Sequence, residues 1–340
     1  MFVPKYTISH ILASNMRKIG EIIGELNSKP LSNTVLVNME RDARALSACS
    51  STQIEGNPLP LTDVKKIIKS MPVNIRDSER EVLNYNQALM LLDGQIKTDK
   101  LEKLSNKFVC AIQALVVDGL MTGIRKGQYR REPVFVNDPV QRKTIYLPPD
   151  AKDVELLMTE LVDFVNQNVE SIDPLIIAGL FHKQAVIIHP FIDGNGRTTR
   201  LITKTLLANL GINTFPLFSF ENYYNNNVAK YFQSVGVFGN YYEISSRIDF
   251  TQWLEYFTDG IIDELNRVKS QFPQYQDRLE THHKQILAYI NEHGTISAKE
   301  YAQITTRARP TRIQDFKRLL DLGLIMAKGV GKATYYENPK

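Results

Sequence analysis

The 340-residue chain carries 41 lysines and arginines against 37 aspartates and glutamates, a net charge of +4, and is 43% hydrophobic. That composition excludes a disordered or fibrous chain, leaves room for two or three domains with a sizeable core, and is too mildly basic for a nucleic-acid binder over its whole length. Two cysteines, Cys49 and Cys110, exclude a disulfide framework and a cysteine-rich metal site.

No apolar run is long enough to cross a bilayer, and Met1–Tyr6 lacks the basic-then-apolar pattern of a secretory signal, so a cytoplasmic protein without a membrane partner is expected. Ile8, Leu12, Met16, Ile19, Ile23 and Leu26 recur at helical spacing, predicting a helix over about 9–26 that Lys29-Pro30 breaks. A second helix is predicted over about 35–54, stopped by Gly56-Asn57-Pro58. Helices follow over 61–71, with Thr62 or Asp63 as its cap, and 78–92, with Ser78 and Glu81 as a capping box. Another is expected over 98–120. Val134-Phe135-Val136 and Thr144–Leu147, separated by Asn137-Asp138-Pro139, read as a β-hairpin within 127–149. Asp173-Pro174 supplies a cap and first-turn proline for a buried helix, on which His182 reads as a core residue.

That helix leads into His189-Pro190-Phe191-Ile192-Asp193-Gly194-Asn195-Gly196-Arg197-Thr198-Thr199-Arg200, and a helix is predicted from Thr198 to Leu210. Glycines free backbone N–H groups for close approach to a ligand, and the start of a helix adds more N–H donors and a positive dipole end. The arginines add planar, permanently charged donors matched to phosphate. Asp193 beside such an anion site suits Mg²⁺. His189 is a candidate general base. Downstream, 248–268 reads as a helix and Gln271-Phe272-Pro273-Gln274 as a domain boundary. The tail gives three helices, with Ile313, Phe316, Leu319 and Leu320 inward on the third, then strands over 324–327 and 333–336.

The stretch 189–200 resembles the signature of Fic-domain proteins, H-x-F-x-D/E-G-N-G-R-x-x-R, at every specified position. The fold this implies is mainly α: a Fic-type helical bundle with a β-hairpin flap. The tail resembles a winged helix-turn-helix domain with a basic surface of Arg309, Arg312, Lys317, Arg318, Lys328 and Lys332. The implied division is an N-terminal helical region over 1–110 with an inhibitory helix (about 35–56), a Fic catalytic domain over 111–268 (flap 127–149, signature 189–200) and a winged-helix domain over 279–340. Ser51-Thr52-Gln53-Ile54-Glu55-Gly56 matches the family's inhibitory motif, S/T-x-x-x-E-G/N, so Ser51, Glu55 and Gly56 are the implied regulatory residues and Glu55 the implied partner of Arg200.

The resemblance implies transfer of AMP from ATP to a protein hydroxyl. His189 is the implied base and Asp193 the Mg²⁺ ligand. Gly194, Asn195, Gly196, Arg197, Thr198, Thr199 and Arg200 are the implied phosphate-side contacts. Val136, Asn137 and Asp138 in the flap are expected nearest the nucleotide. Tyr223-x-x-x-Asn227-x-x-x-Tyr231-Phe232 resembles the family's nucleobase element, making Tyr231 and Asn240 candidates for the base. The departure Ala111-Ile112-Gln113, where many relatives have a histidine, carries no functional reading. A protein target on flap 127–149 and a homodimer are family-level expectations. DNA and a docking protein both stand as partners for the tail. The alternatives are removal of AMP, transfer of another phosphate-containing group, or a DNA-binding regulator whose Fic site senses nucleotide.

Overall fold

A computed structural model gives the structure of the chain for all residues except 29–32, 73, 100–102, 122, 138–142, 209–216, 277–278, 322–323, 330 and 339–340. Two compact units emerge: Met1–Asn27 with Asp42–Leu265, and Ser28–Arg41 with Asn266–Lys340. The helices up to the flap are α1 (His10–Asn27), α2 (Asn33–Ile54), α3 (Leu61–Ser70), α4 (Asp77–Lys97) and α5 (Asn106–Val116). After β1 (Val136–Asn137) and β2 (Thr144–Leu147) come α6 (Ala151–Asn168), α7 (Pro174–Ile188), α8 (Asn195–Ala208), α9 (Phe220–Asn226) and α10 (Val228–Val235). Then follow β3 (Gly239–Asn240), α11 (Tyr241–Ile244) and α12 (Thr251–Gln276). The chain closes with α13 (Thr281–His293), β4 (Thr295–Ser297), α14 (Ala298–Ile304), α15 (Arg309–Asp321), β5 (Met326–Lys328) and β6 (Tyr335–Glu337). Among the described residues no helix is long and apolar enough to cross a membrane.

α7 is the axis of the first unit. Thirteen of its 15 residues are buried, as its unbroken apolar run requires. Asp173 accepts from Leu175 N–H at 2.8 Å and Pro174 opens the first turn, as expected. On one side Ile177, Phe181 and Ile188 join a core with α4, α5, α6 and α8. On another, Gly179 receives α12: a Cβ there would lie 2.6 Å from Leu254 and 3.1 Å from Phe257. Trp253 Nε1 donates to the Gly179 carbonyl at 2.7 Å. The region expected as a separate N-terminal part shares this core, since Ala48, Val64, Val82 and Leu89 belong to it.

Several boundaries differ from expectation. α4 runs on to Lys97, and α5 starts only at Asn106, because Ser105 caps it by accepting from Phe108 N–H at 3.1 Å. The Ser78–Glu81 box is replaced two residues earlier: Arg76 N–H donates to Glu79 at 2.8 Å, while Glu81 is held by Asn57. α3 starts after Pro60 with no side-chain cap, so neither Thr62 nor Asp63 fills that role. α8 begins at Asn195, three residues before the predicted start, and its expected stop at Gly211 lies outside the described residues. The first hairpin strand is shorter than predicted and lies closer to the turn, the second spans Thr144–Leu147 as predicted, and Val136 faces Tyr146 in antiparallel pairing. β3, a parallel neighbour of β2, had no sequence signal. α12 continues through Pro273 to Gln276.

In the second unit β4, β6 and β5 form an antiparallel sheet in that order. On α15 Phe316 and Leu319 are buried, but Ile313 is 57% and Leu320 36% exposed. The inward face is set instead by Asp315, which is buried and accepts from Arg307 Nε at 2.8 Å and the Tyr301 hydroxyl at 2.9 Å. A buried carboxylate needs such partners, so it fixes which side of the helix turns in.

Candidate functional site

The site is built where α7 ends. His189 adopts φ 52°, ψ 60°, the left-handed region, while its N–H still closes the helix on the Ala185 carbonyl at 3.0 Å. For a non-glycine residue this costs about 1–2 kcal/mol and persists only where surroundings impose it. The Asn195 amide then closes the loop on itself: Phe191 N–H donates to its Oδ1 and its Nδ2 donates to the Phe191 carbonyl, both at 2.8 Å. One amide N–H of Asn195 is thereby engaged within the loop, beside the main-chain donors of this turn. Gly194 takes φ +79° with a would-be Cβ 2.9 Å from Val117, so both backbone and space require glycine.

Charges converge on the first turn of α8. Arg197, 3% exposed, donates to Asp193 Oδ1 at 3.1 Å and Oδ2 at 3.2 Å, and lies 3.3 Å from Glu81. Asp193 also accepts from Gly194 N–H at 2.6 Å, and its side chain is half exposed, open to a cation. Arg200 is fully buried, donating to Ser51 Oγ at 2.8 Å, the Ser51 carbonyl at 2.9 Å, Glu55 at 2.7 Å and the Tyr231 hydroxyl at 3.4 Å. Burial opposes its charge, but the Glu55 carboxylate together with the Tyr231 and Tyr85 hydroxyls outweighs that, and its pKa rises. Thr198 and Thr199 are buried in the same turn, the Thr198 hydroxyl without a partner.

Glu55 is placed by a helix stop. Gly56 has φ +94°, its N–H donates to the Gln53 carbonyl at 2.9 Å, and Asn57 N–H donates to the Thr52 carbonyl at 3.1 Å. These two bonds and the left-handed glycine make a Schellman cap, with Glu55 as its last helical-side residue. The carboxylate thereby lands beside Gly196: a Cβ on Gly196 would overlap Glu55 Oε1 and press on Arg200. The first N–H groups of α8 have no helical acceptor and face a positive dipole end. An anion belongs there, and Glu55 supplies it.

From this point a cavity of about 590 Å³ opens, within the range of small-ligand pockets. His189 and Glu55 stand at its polar side. Val136 and Asn137 of the flap, Val186 and Ile187 of α7, and Phe232 and Phe238 supply walls. Val136 and Asn137, expected nearest the nucleotide, line this cavity, while Asp138 falls outside the described residues. Tyr231 does not line the cavity. It is 1% exposed, stacked on Tyr224 with ring centroids 4.6 Å apart, and its hydroxyl bonds His182 Nε2 at 3.0 Å. Asn240 caps α11, accepting from Tyr242 N–H at 3.0 Å, and does not line the cavity either. His182 is buried as predicted, and burial drives its pKa well down, with Arg200 adding to the effect.

Burial also lowers the His189 pKa, as does the nearby Arg130 charge, against smaller opposing effects of the Val186 backbone, Glu55 and Asp193. Its imidazole is therefore neutral and able to accept a proton. Sequence reasoning missed what supports it. Arg130 Nε donates to the His189 carbonyl at 2.8 Å. Gln113, fully buried, donates to the Asp193 carbonyl at 3.1 Å and accepts from Gly127 N–H at 2.7 Å, tying the hairpin's first foot to the loop. Bonds to backbone carbonyls leave no spacing pattern in the sequence. Phe232 was within reach: it follows Tyr231, and one residue turns a helix face by about 100°.

Residues 103–207 match the family model described as the Fic/DOC family. A protein adenylyltransferase Fic from Drosophila erecta is 31% identical over 184 residues, covering 53% of this chain and 35% of that protein. The chain thus spans about a third of that relative's length. Among solved structures, a Fic family protein from Desulfovibrio desulfuricans G20 superposes with a TM-score of 0.65 at 21% identity, covering 99% of this chain and 98% of that one. Fic-1 from C. elegans gives a TM-score of 0.62 at 22% identity, covering 78% and 74%.

Proposed function

The chain carries a Fic domain, and from that premise we propose that it is a protein adenylyltransferase, moving AMP from ATP to a hydroxyl on a protein target and on itself. The observation that carries the reading is the convergence of a neutral His189 with Asp193, Arg197 and Arg200 at the start of α8, with His189 and Glu55 lining one cavity. The ATP base and ribose occupy the apolar cavity, and the phosphates lie along the α8 N-terminus. His189 takes the proton from the target hydroxyl. That oxygen attacks the α-phosphorus, the bond to the bridging oxygen breaks, and pyrophosphate leaves against Arg197 and Arg200. Positioning and charge neutralisation carry such transfers.

Asp193 is the residue that would hold Mg²⁺. A half-exposed carboxylate at the phosphate side fits a cation that is usually bound by one or two carboxylates plus substrate phosphates. When bound, the ion neutralises phosphate charge. Arg197 donates to both Asp193 oxygens.

Autoinhibition by Glu55 belongs to the same proposal. Its carboxylate holds Arg200 and sits beside Gly196, where phosphate charge would otherwise lie. The flap 127–149 holds the target: β1 pairs with β2 on one side only, which leaves an edge for an added strand. For the second unit we propose a winged-helix module, supported by its helix and strand order and by exposed Arg309, Lys317 and Arg318. Salt-sensitive binding of labelled duplex DNA would assign it to DNA, and none at low salt to a docking protein.

The transferase reading is tested with α-labelled ATP, Mg²⁺ and a cell lysate, using Glu55→Gly protein. Labelled protein bands, identified by mass spectrometry as carrying AMP on Tyr, Ser or Thr, support it. Free AMP released from a modified target, without net labelling, would favour the reverse reaction.

A further inference from the structure

We propose that Arg130 is a positioning residue for the transfer reaction, locking the backbone of His189 to both feet of the hairpin so that base and bound target segment share one register. The inference rests on the transferase reading above. Arg130 is 3% exposed, and among the described residues no carboxylate pairs with it. Its guanidinium instead faces carbonyls: His189 at 2.8 Å, Ile188 at 3.3 Å, Pro149 at 2.6 Å and Glu132 at 3.2 Å. Its own N–H donates to the Pro190 carbonyl at 2.9 Å.

These partners belong to three segments. Ile188 and His189 are the last carbonyls of α7, which lack helical donors and form the negative end of the helix dipole. Glu132 lies on the chain entering β1, and Pro149 on the chain leaving β2. A buried cation without a counter-ion is costly. No apolar side chain could hold four carbonyls at once, whereas a planar fork of five donors does. The same fork imposes the left-handed turn that His189 adopts at φ 52°. Arg130 makes no contact with Arg197, Arg200 or Asp193, so it acts on the base and the flap rather than on the phosphate side.

The test places Arg130→Lys and Arg130→Met in the Glu55→Gly background. Lysine keeps the charge but cannot reach all four carbonyls. The measurements are cooperative melting, affinity for a fluorescent ATP analogue, kcat, and the nucleotide-free NMR resonance of the His189 imidazole. The expected result is affinity within about twofold, kcat down roughly 10- to 100-fold in both variants as for misplaced reacting groups, and a displaced His189 resonance. Unchanged kcat, or kcat and affinity falling together, overturns the proposal. So does loss of cooperative melting, which would make Arg130 a requirement of folding. If Glu55→Gly with Arg130 intact transfers nothing, the transferase reading fails, and the NMR resonance alone decides Arg130: an unmoved signal overturns its role.

Discussion

Replacing Glu55 by glycine removes the one carboxylate paired with the fully buried Arg200. The contact is a 2.7 Å charge-assisted bond, with the Glu55 side chain 32% exposed. Such a bond contributes about 1.5–3 kcal/mol, and 1.4 kcal/mol corresponds to a factor of about ten. The blocked arrangement is therefore favoured by roughly 10- to 100-fold. Releasing it should raise both ATP affinity and transfer rate by a factor in that range. Arg200 keeps its bonds to the Ser51 carbonyl, Ser51 Oγ and Tyr231, so the variant should fold, with a loss of about 1–3 kcal/mol for the weakened pairing of a buried charge. The assay follows incorporation of α-labelled ATP across an ATP titration, beside thermal melts. Glu55→Gln, which keeps the shape without the charge, should fall between the two. Equal or lower transfer from a cooperatively folded Glu55→Gly protein would refute the reasoning.

Three more outcomes follow from the geometry. His189→Ala should abolish transfer while ATP affinity stays within about threefold, since the imidazole acts on the hydroxyl proton; full transfer by that variant would remove His189 as base. Tyr231→Phe should lose about 1–3 kcal/mol of stability because it leaves buried His182 Nε2 unpaired, with ATP affinity unchanged; weaker ATP binding at unchanged stability would restore Tyr231 to the nucleobase. Burial lowers the His189 pKa, so the neutral form persists as pH falls through the ordinary histidine range. The acid-side midpoint of transfer by Glu55→Gly protein should lie below the ordinary histidine value of about 6.5, and Glu55→Gly removes an acid that opposed the lowering. A midpoint at or above about 6.5 would contradict the burial argument.

The signature was legible because its chemistry is local. His189 to Arg200 lie on one turn and the first turns of one helix, so spacing alone places them together. Glu55 and Arg200 are far apart in sequence, and only resemblance joined them; the structure adds the Schellman cap that explains why Glu55 stands where it does. Arg130 and Gln113 were unreadable because they act on main-chain carbonyls, which every residue has. The bonds by which the Asn195 amide closes the loop on Phe191 left no trace in the sequence, because their partners are main-chain atoms. Tyr231, the sequence candidate for the nucleobase, is turned by α10 into the aromatic core, and Phe232, one position on, lines the cavity. In the tail, Ile313 was assigned inward by periodicity, but the buried Asp315 and its partners set the face of α15.

The account stands or falls on where the label from ATP goes. Glu55→Gly protein is incubated with Mg²⁺ and lysate, once with ATP labelled at the α-phosphorus and once at the γ-phosphorus, and protein-bound label is read in each. The α-label should appear on protein hydroxyls, vanish with His189→Ala, and have no γ-labelled counterpart, because pyrophosphate has left. Protein labelled from the γ-position, or no α-label from a folded and ATP-binding variant, would contradict adenylyl transfer at this loop.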